Sequence, residues 1–253
     1  MESRFGSHMT GQPQPIENLE GRSPAIPSTG WARIDWRFIS RVPATRNLAQ
    51  ALARASQPPR VLVCASAVGY YGSRGDEVLR EDSASGEGFV AEVCRQWEAA
   101  SQPAADAGIR TVHTRFGIVL SAVGGALQKM LLPFRLGAGG KMGNGRQWWP
   151  WIDLGDVVGA ILHVVANDTL RGPVNVASPN PVRNAEFTKT LAAVLSRPAI
   201  FPMPAFMTRL AFGEMADDLL LASQRVQPSR LIAGGYVFQR SDLQPALRAI
   251  LKK

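Results

Sequence analysis

The chain has 253 residues, 45% of them apolar, with 28 Lys and Arg against 20 Asp and Glu, a net charge of +8 and a pI near 10.2. That length and apolar share build one large domain, or one domain with a small appendage. The positive balance favours anionic ligands, but Lys and Arg are dispersed singly, which argues against a nucleic-acid partner. No run reaches the roughly 18 to 20 apolar residues that cross a bilayer, and no basic region leads into an apolar one at the N-terminus, so a cytoplasmic protein without membrane contact is expected.

Residues 1–30 are rich in Gly, Pro, Ser and polar side chains without a sustained period, and are expected to be irregular; GSHM at Gly6 to Met9 resembles an expression-vector scar. From Trp36 to Ala55 the apolar positions Phe38, Ile39, Val42, Leu48, Leu52 and Ala53 fall at helical spacing, with Pro43 interrupting and Pro58-Pro59 ending the run. The strand Val61 to Ala65 follows and runs into a small-residue turn carrying Ser66, Tyr70 and Tyr71. Phe89 to Ala105 reads as a helix and Arg110 to Leu120 as a strand, an alternation that predicts a parallel sheet with covering helices.

Gly124 to Gly137 and Gly155 to Ala166 read as helices, the second capped by Asp153 or Asp156. Pro173 to Ala177 reads as a short strand, and Asn184 to Leu195 as a helix after the turn at Pro179 to Pro181. The tail changes character, with two helices around Ala205 to Val226, a GGYVF element and a last helix from Ser241. The expected class is α/β: an irregular segment over 1–30, a Rossmann-like parallel sheet over 31–198, and a small, mainly helical C-terminal subdomain over 199–253.

Cys64 and Cys94 fit no disulfide framework, and with His8, His113 and His163 scattered they give no metal-ligand spacing, so no metal is expected. Ligands of open α/β sheets bind at the carboxyl ends of strands, where Ser66, Tyr70 and Tyr71 fall; a turn whose hydroxyls only satisfy backbone is the other reading. Arg146, Gln147, Trp148, Trp149 and Trp151 form a polar-aromatic loop that reads as a substrate-pocket wall or as a packing plug. Gly137 to Gly145, GAGGKMGNG, follows a predicted helix and lacks the strand and Lys-Ser/Thr of a phosphate cradle; it reads as a flexible active-site loop.

Six segments in order carry a family likeness: SAVGYYG (Ser66 to Gly72), CRQWEAA (Cys94 to Ala100), RFGIVL (Arg115 to Leu120), the run from Gly124 to Ile161, GPVNVASPNPVRNAEF (Gly172 to Phe187) and GEMADDLLLASQRVQPSRL (Gly213 to Leu231). The chain resembles the atypical, extended-type short-chain dehydrogenase/reductases, in the epimerase-like branch that ends in its own C-terminal domain. The resemblance implies a Rossmann sheet and a nicotinamide dinucleotide, NADP (NADPH) ahead of NAD. The implied cofactor contacts are Gly21, Ala65, Ser66, Arg115 and Gly117, and the implied substrate contacts are Arg146, Gln147, Trp148 and Trp151.

Two departures stand out. No glycine-rich turn follows a first strand, and IENLEG (Ile16 to Gly21) resembles the family's later Asn-Leu-Ala-Gly turn. The chain therefore reads as a sheet missing its first βαβ units, each of roughly 30 residues, with an exposed edge that a homo-oligomer or another partner would cover. The helix that holds the family's Tyr-xxx-Lys pair reads GFVAEVCRQWE, with Val90 and Cys94 in those places. Ser66 then remains as hydrogen-bond donor, and Tyr70 or Tyr71 as proton donor. Two functions stay open: an NAD(P)-dependent oxidoreductase or epimerase acting on a small, nucleotide-sugar-like substrate, and a non-catalytic binding or regulatory protein.

Overall fold

The computed structural model describes residues 41–202 and 220–252, all of them within one compact unit, Trp36–Lys253. Helix α1 (Arg41–Ala53) leads through the Pro58-Pro59 stop to β1 (Val61–Ala67), a single 3₁₀ turn (Val68–Tyr71) and β2 (Val78–Leu79). Helices α2 (Phe89–Ala99) and α3 (Gln102–Asp106) precede β3 (Arg110–Phe116) and β4 (Ile118–Leu120). Next come α4 (Gly125–Arg135), β5 (Trp148–Trp149), β6 (Trp151–Asp153), α5 (Leu154–Ala166) and β7 (Gly172–Val176). The described chain ends with β8 (Val182–Arg183), α6 (Asn184–Leu195), β9 (Arg225–Val226), α7 (Ser229–Ala233) and α8 (Leu243–Leu251).

The central sheet is parallel, in the order β1-β3-β7, with helices on both faces, as the βα alternation predicts. Its register pairs Ser66 with Arg115 and Arg115 with Asn175. Side chains alternate along a strand, so these three polar residues form one row on one face at the carboxyl ends of three strands. Leu62 and Cys64, on the same face, pack with Ala49 of α1 and Ala104 of α3.

Several elements differ from expectation for local reasons. The strand expected from Arg110 to Leu120 breaks at Gly117, whose N–H donates to Val176 O while the next N–H, that of Ile118, donates to Pro150 O. The chain thereby passes from the pairing with β7 to a second one, β4 with β6. A Cβ on Gly117 would lie 2.4 Å from Pro150 O, so the crossing is built for glycine. The helix expected from Phe89 to Ala105 is two helices, because Pro103 has no N–H to continue the ladder and stands instead in the first turn of α3. Asp153 caps α5 by accepting from Gly155 N at 2.7 Å, and Asp156 is left for another task.

Of the two helices expected around Ala205 to Val226, residues 203–219 lie outside the described residues; Arg225–Val226 is a strand, parallel to β2. Helix α7 was not anticipated. Helix α8 sends Leu243, Ala246 and Leu247 into a core shared with Leu127 and Phe134 of α4, Trp149, Trp151, and Phe187 and Leu191 of α6. A second core joins Leu231 of α7 to Val112, Val157, Val164 and Val174. Tyr236 and Phe238, from GGYVF, meet edge to face at 4.8 Å and pack on that second core. Each fully buried aliphatic side chain of this kind contributes about 2 kcal/mol.

Candidate functional site

Arg115 organises the carboxyl end of the sheet. A cation buried in a central strand needs a buried acid, and α2 supplies Glu98. Arg115 Nε and Nη2 donate to Glu98 Oε1 and Oε2, both at 2.8 Å, a bidentate pair whose side chains are 3% and 11% exposed. Ser66 Oγ donates to the same Glu98 Oε1 at 2.7 Å. Arg115 Nη1 donates to Tyr71 Oη at 2.9 Å, and Tyr71 Oη donates to Asn175 Oδ1 at 2.7 Å. The row of three register-matched residues is thus closed into one network by Glu98 and Tyr71.

Glu81, also buried, extends it: its Oε1 accepts from Asn175 N and from Arg230 N, each at 3.1 Å, and so ties β7 to the start of α7. Burial pulls the Arg115 guanidinium downward, but the Glu98 and Tyr71 interactions outweigh it, so its pKa is raised and the cation is permanent. Burial pushes the Tyr71 phenol up to about 12, against the lowering influence of Arg115 and Asn175. Tyr71 is fully buried, neutral and locked as a structural link.

Tyr70 is different. Its half-buried ring lies under the Arg115 guanidinium, 3.5 Å from carbon to ring centre, and edge to face with Tyr71 at 5.4 Å. Its hydroxyl has no hydrogen-bond partner among the described residues. The two adjacent tyrosines therefore divide into a buried strut and an available phenol.

The face of α2 that would carry the family's Tyr-xxx-Lys pair is closed. Val90 and Cys94 are buried against Gly69, where a Cβ would come 2.5 Å from Val90 Cγ1. Burial, reinforced by nearby Glu98, pushes the Cys94 thiol up to about 11, so it supplies no thiolate near neutral pH.

On the opposite face of the sheet, Ala65 is the exposed residue of β1. Its methyl group is accessible near the strand's carboxyl end. Gly117 is packed between Pro150 O and Ala177, and Gly21 lies outside the described residues.

The Arg146 to Trp151 loop splits in the same way. Gln147 is buried and donates to Met142 O and Leu220 O, while Trp151, fully buried, donates to Asn180 O. Arg146 is exposed. Trp148 is half-buried, donates from Nε1 to Asp76 Oδ1 at 2.7 Å, and has the Arg183 and Arg225 guanidiniums 4.6 and 4.8 Å from its ring. Asp76 sits in the loop that follows Tyr71, and Arg183 donates to it at 3.0 Å, which links this basic-aromatic platform to the tyrosine turn. The Trp148 hydrogen bond, aided by Arg183, holds the Asp76 carboxyl below its ordinary value. Gly139 and Gly140 pack where a Cβ would meet the Phe134 ring at 2.6 Å and Phe201 O at 1.8 Å, so those two glycines serve close packing.

Sequence reasoning missed the roles of Glu81, Asp76 and Glu98. The signal for Glu98 was Arg115 itself, a cation near the carboxyl end of a largely buried strand.

The comparisons agree with this architecture. The epimerase family protein Mb2239 of Mycobacterium bovis is 43% identical over 208 residues, covering 82% of this chain and 68% of that protein. The chain belongs to the epimerase family. The human epimerase family protein SDR39U1 is 37% identical over 237 residues, covering 92% of this chain and 80% of the human one. The crystal structure of human SDR39U1 isoform 2 with NADPH superposes with a TM-score of 0.84 at 36% identity, over 88% of this chain and 76% of that chain. Residues 203–250 match the domain of unknown function DUF1731. The epimerase-family fold of this chain is thus Rossmann-like, with its C-terminal part belonging to a recognised domain.

Proposed function

We propose that this chain is an NAD(P)-dependent oxidoreductase or epimerase of the short-chain dehydrogenase/reductase superfamily, acting on a small, nucleotide-sugar-like substrate with NADPH ahead of NADH. The observation that carries the reading is Tyr70, its ring held against Arg115 at the carboxyl ends of the parallel strands and its hydroxyl without a hydrogen-bond partner among the described residues. The human relative's structure with NADPH supports the cofactor assignment.

A bound nicotinamide supplies hydride chemistry at the substrate carbon. The chain's residues do the rest. Tyr70 Oη passes a proton to the substrate oxygen as it becomes a hydroxyl, or takes that proton in the reverse direction. Arg115 fixes the ring from one face, and its charge is balanced by Glu98, so the phenol is oriented by a pair that is neutral overall. Ser66, already donating to Glu98, positions that carboxylate. Arg146 and the Trp148 platform face the substrate's anionic end. Ala65, exposed at the carboxyl end of β1, would hold the cofactor there.

The test is a fluorescence titration of NADPH into the full chain, followed by a screen of nucleoside-diphosphate sugars for turnover. Saturable micromolar binding, with turnover lost in Tyr70→Phe while NADPH affinity is kept, is the expected result. Undiminished turnover in Tyr70→Phe would remove this residue from the mechanism.

A second reading, a binding protein without turnover, is favoured by the closed apolar packing of Val90 and Cys94 where the family's proton relay stands. NADPH binding with no hydride transfer to any carbonyl of the screen would select it.

A further inference from the structure

A groove of about 490 Å³ runs along the outer side of α6, away from the residues of the Arg115 network. Its floor is alanine, including Ala192, and its wall includes Ile200, which is 70% exposed. Lys141, Lys189 and Arg197 line it, with no Asp or Glu among the described lining residues. All three cations are exposed, and among the described residues none is paired with a carboxylate.

A second observation points into the same place. Thr188, on the second turn of α6, is only 4% exposed, yet its Oγ1 has no hydrogen-bond partner. A helical threonine ordinarily bonds back to a carbonyl of the preceding turn, and leaving a buried hydroxyl unpaired costs about 1–3 kcal/mol. Thr188 is itself one of the residues that line the groove beside the three cations.

We propose that this groove is a binding site for a phosphorylated small molecule. The phosphate would take charge-assisted hydrogen bonds from Lys141, Lys189 and Arg197 and a further one from Thr188, while the alanine floor receives the organic part. The volume lies in the range of small-molecule pockets, about 300–1,000 Å³, and is small for a folded partner. The site is separate from the proposed hydride-transfer site, because their residues do not overlap.

The probe is inorganic pyrophosphate, titrated calorimetrically into the full chain at low and at high salt. Saturable, salt-sensitive binding is expected, weakened about tenfold or more in the Lys189→Ala/Arg197→Ala double variant and also in Thr188→Val, which keeps the side-chain shape. Both charged residues are exposed, so the double variant should keep the wild-type far-UV spectrum. NADPH affinity measured on the same proteins should not change, and pyrophosphate should bind without displacing NADPH. Absence of saturable pyrophosphate binding, equal affinity in the double variant, or displacement of NADPH by pyrophosphate would each overturn the proposal. The variant comparison decides the matter even if the chain binds no NADPH, so failure of the groove and failure of the oxidoreductase reading are distinguishable.

Discussion

The Arg115 guanidinium carbon lies 3.5 Å from the centre of the Tyr70 ring, while Nη1 of the same side chain donates to the hydroxyl of neighbouring Tyr71. One buried cation therefore handles two consecutive tyrosines in opposite ways, stacking on one and hydrogen bonding to the other. That division gives the chain a buried strut and a half-buried phenol in two adjacent residues.

The division predicts unequal effects of the same substitution. Tyr71→Phe strands buried Asn175 Oδ1 and should cost about 1–3 kcal/mol. Tyr70→Phe removes a hydroxyl that has no partner among the described residues and should stay within about 0.5 kcal/mol. Urea denaturation of both variants checks this, and equal losses would contradict the assignment.

Glu98→Gln should be among the most damaging conservative changes. It leaves Arg115 buried without its counter-charge and sets an amide donor where a carboxylate oxygen accepted from the guanidinium, a loss of about 3–5 kcal/mol. A loss below about 1 kcal/mol in chemical denaturation would show that water screens the pair.

Asp156 is fully buried in the first turn of α5, and its carboxylate accepts from Tyr236 Oη, Gln239 N and Arg240 N at 3.0, 2.8 and 2.9 Å. Asp156→Asn turns an acceptor into a donor facing donors, and should cost about 1–3 kcal/mol. The readout is hydrogen exchange at Gln239 and Arg240, which should quicken while that of β3 is kept.

His113 sets a pH dependence. Burial, only partly offset by Glu98, lowers its pKa below the ordinary 6.5, and Ser101 Oγ lies 2.7 Å from its Nε2. The unfolded chain then takes up a proton before the folded one does. Its stability contribution is complete above about pH 6.5 and is lost as the pH falls towards the lower folded value. Denaturation midpoints measured from pH 7.5 down to pH 5, as roughly the window of histidine titration, should fall less steeply in His113→Gln than in the wild type.

Gly117→Ala should destabilise by about 1–3 kcal/mol, because the new Cβ meets backbone at Pro150 O and cannot be relieved by a side-chain rotation. Thermal unfolding measures it; an unchanged midpoint would mean that the β3 to β4 crossing relaxes freely.

The local pattern in the sequence was enough for much of the framework. Helix Asn184–Leu195 falls where its apolar spacing placed it, and β1, β3 and β7 fall where short apolar runs met turn residues. These are properties of a few adjacent residues, set by periodicity, proline stops and caps. The family likeness was legible for the same reason, as ordered short segments.

What the sequence alone could not decide depends on residues far apart in the chain. That Ser66, Arg115 and Asn175 share one row follows from strand register, and that Glu98 covers them follows from how α2 lies on the sheet. Tyr70 and Tyr71 are equivalent as neighbouring letters. Only packing separates them: it bonds buried Tyr71 to a residue 104 positions away and leaves the Tyr70 hydroxyl without a partner among the described residues. Likewise Asp153 and Asp156 both suited a helix start, and the tertiary fold assigned the cap to Asp153 and the anchoring of the C-terminal segment to Asp156. Periodicity fixes which face of an element is buried, whereas the partner it meets there is chosen by the closure of the whole chain.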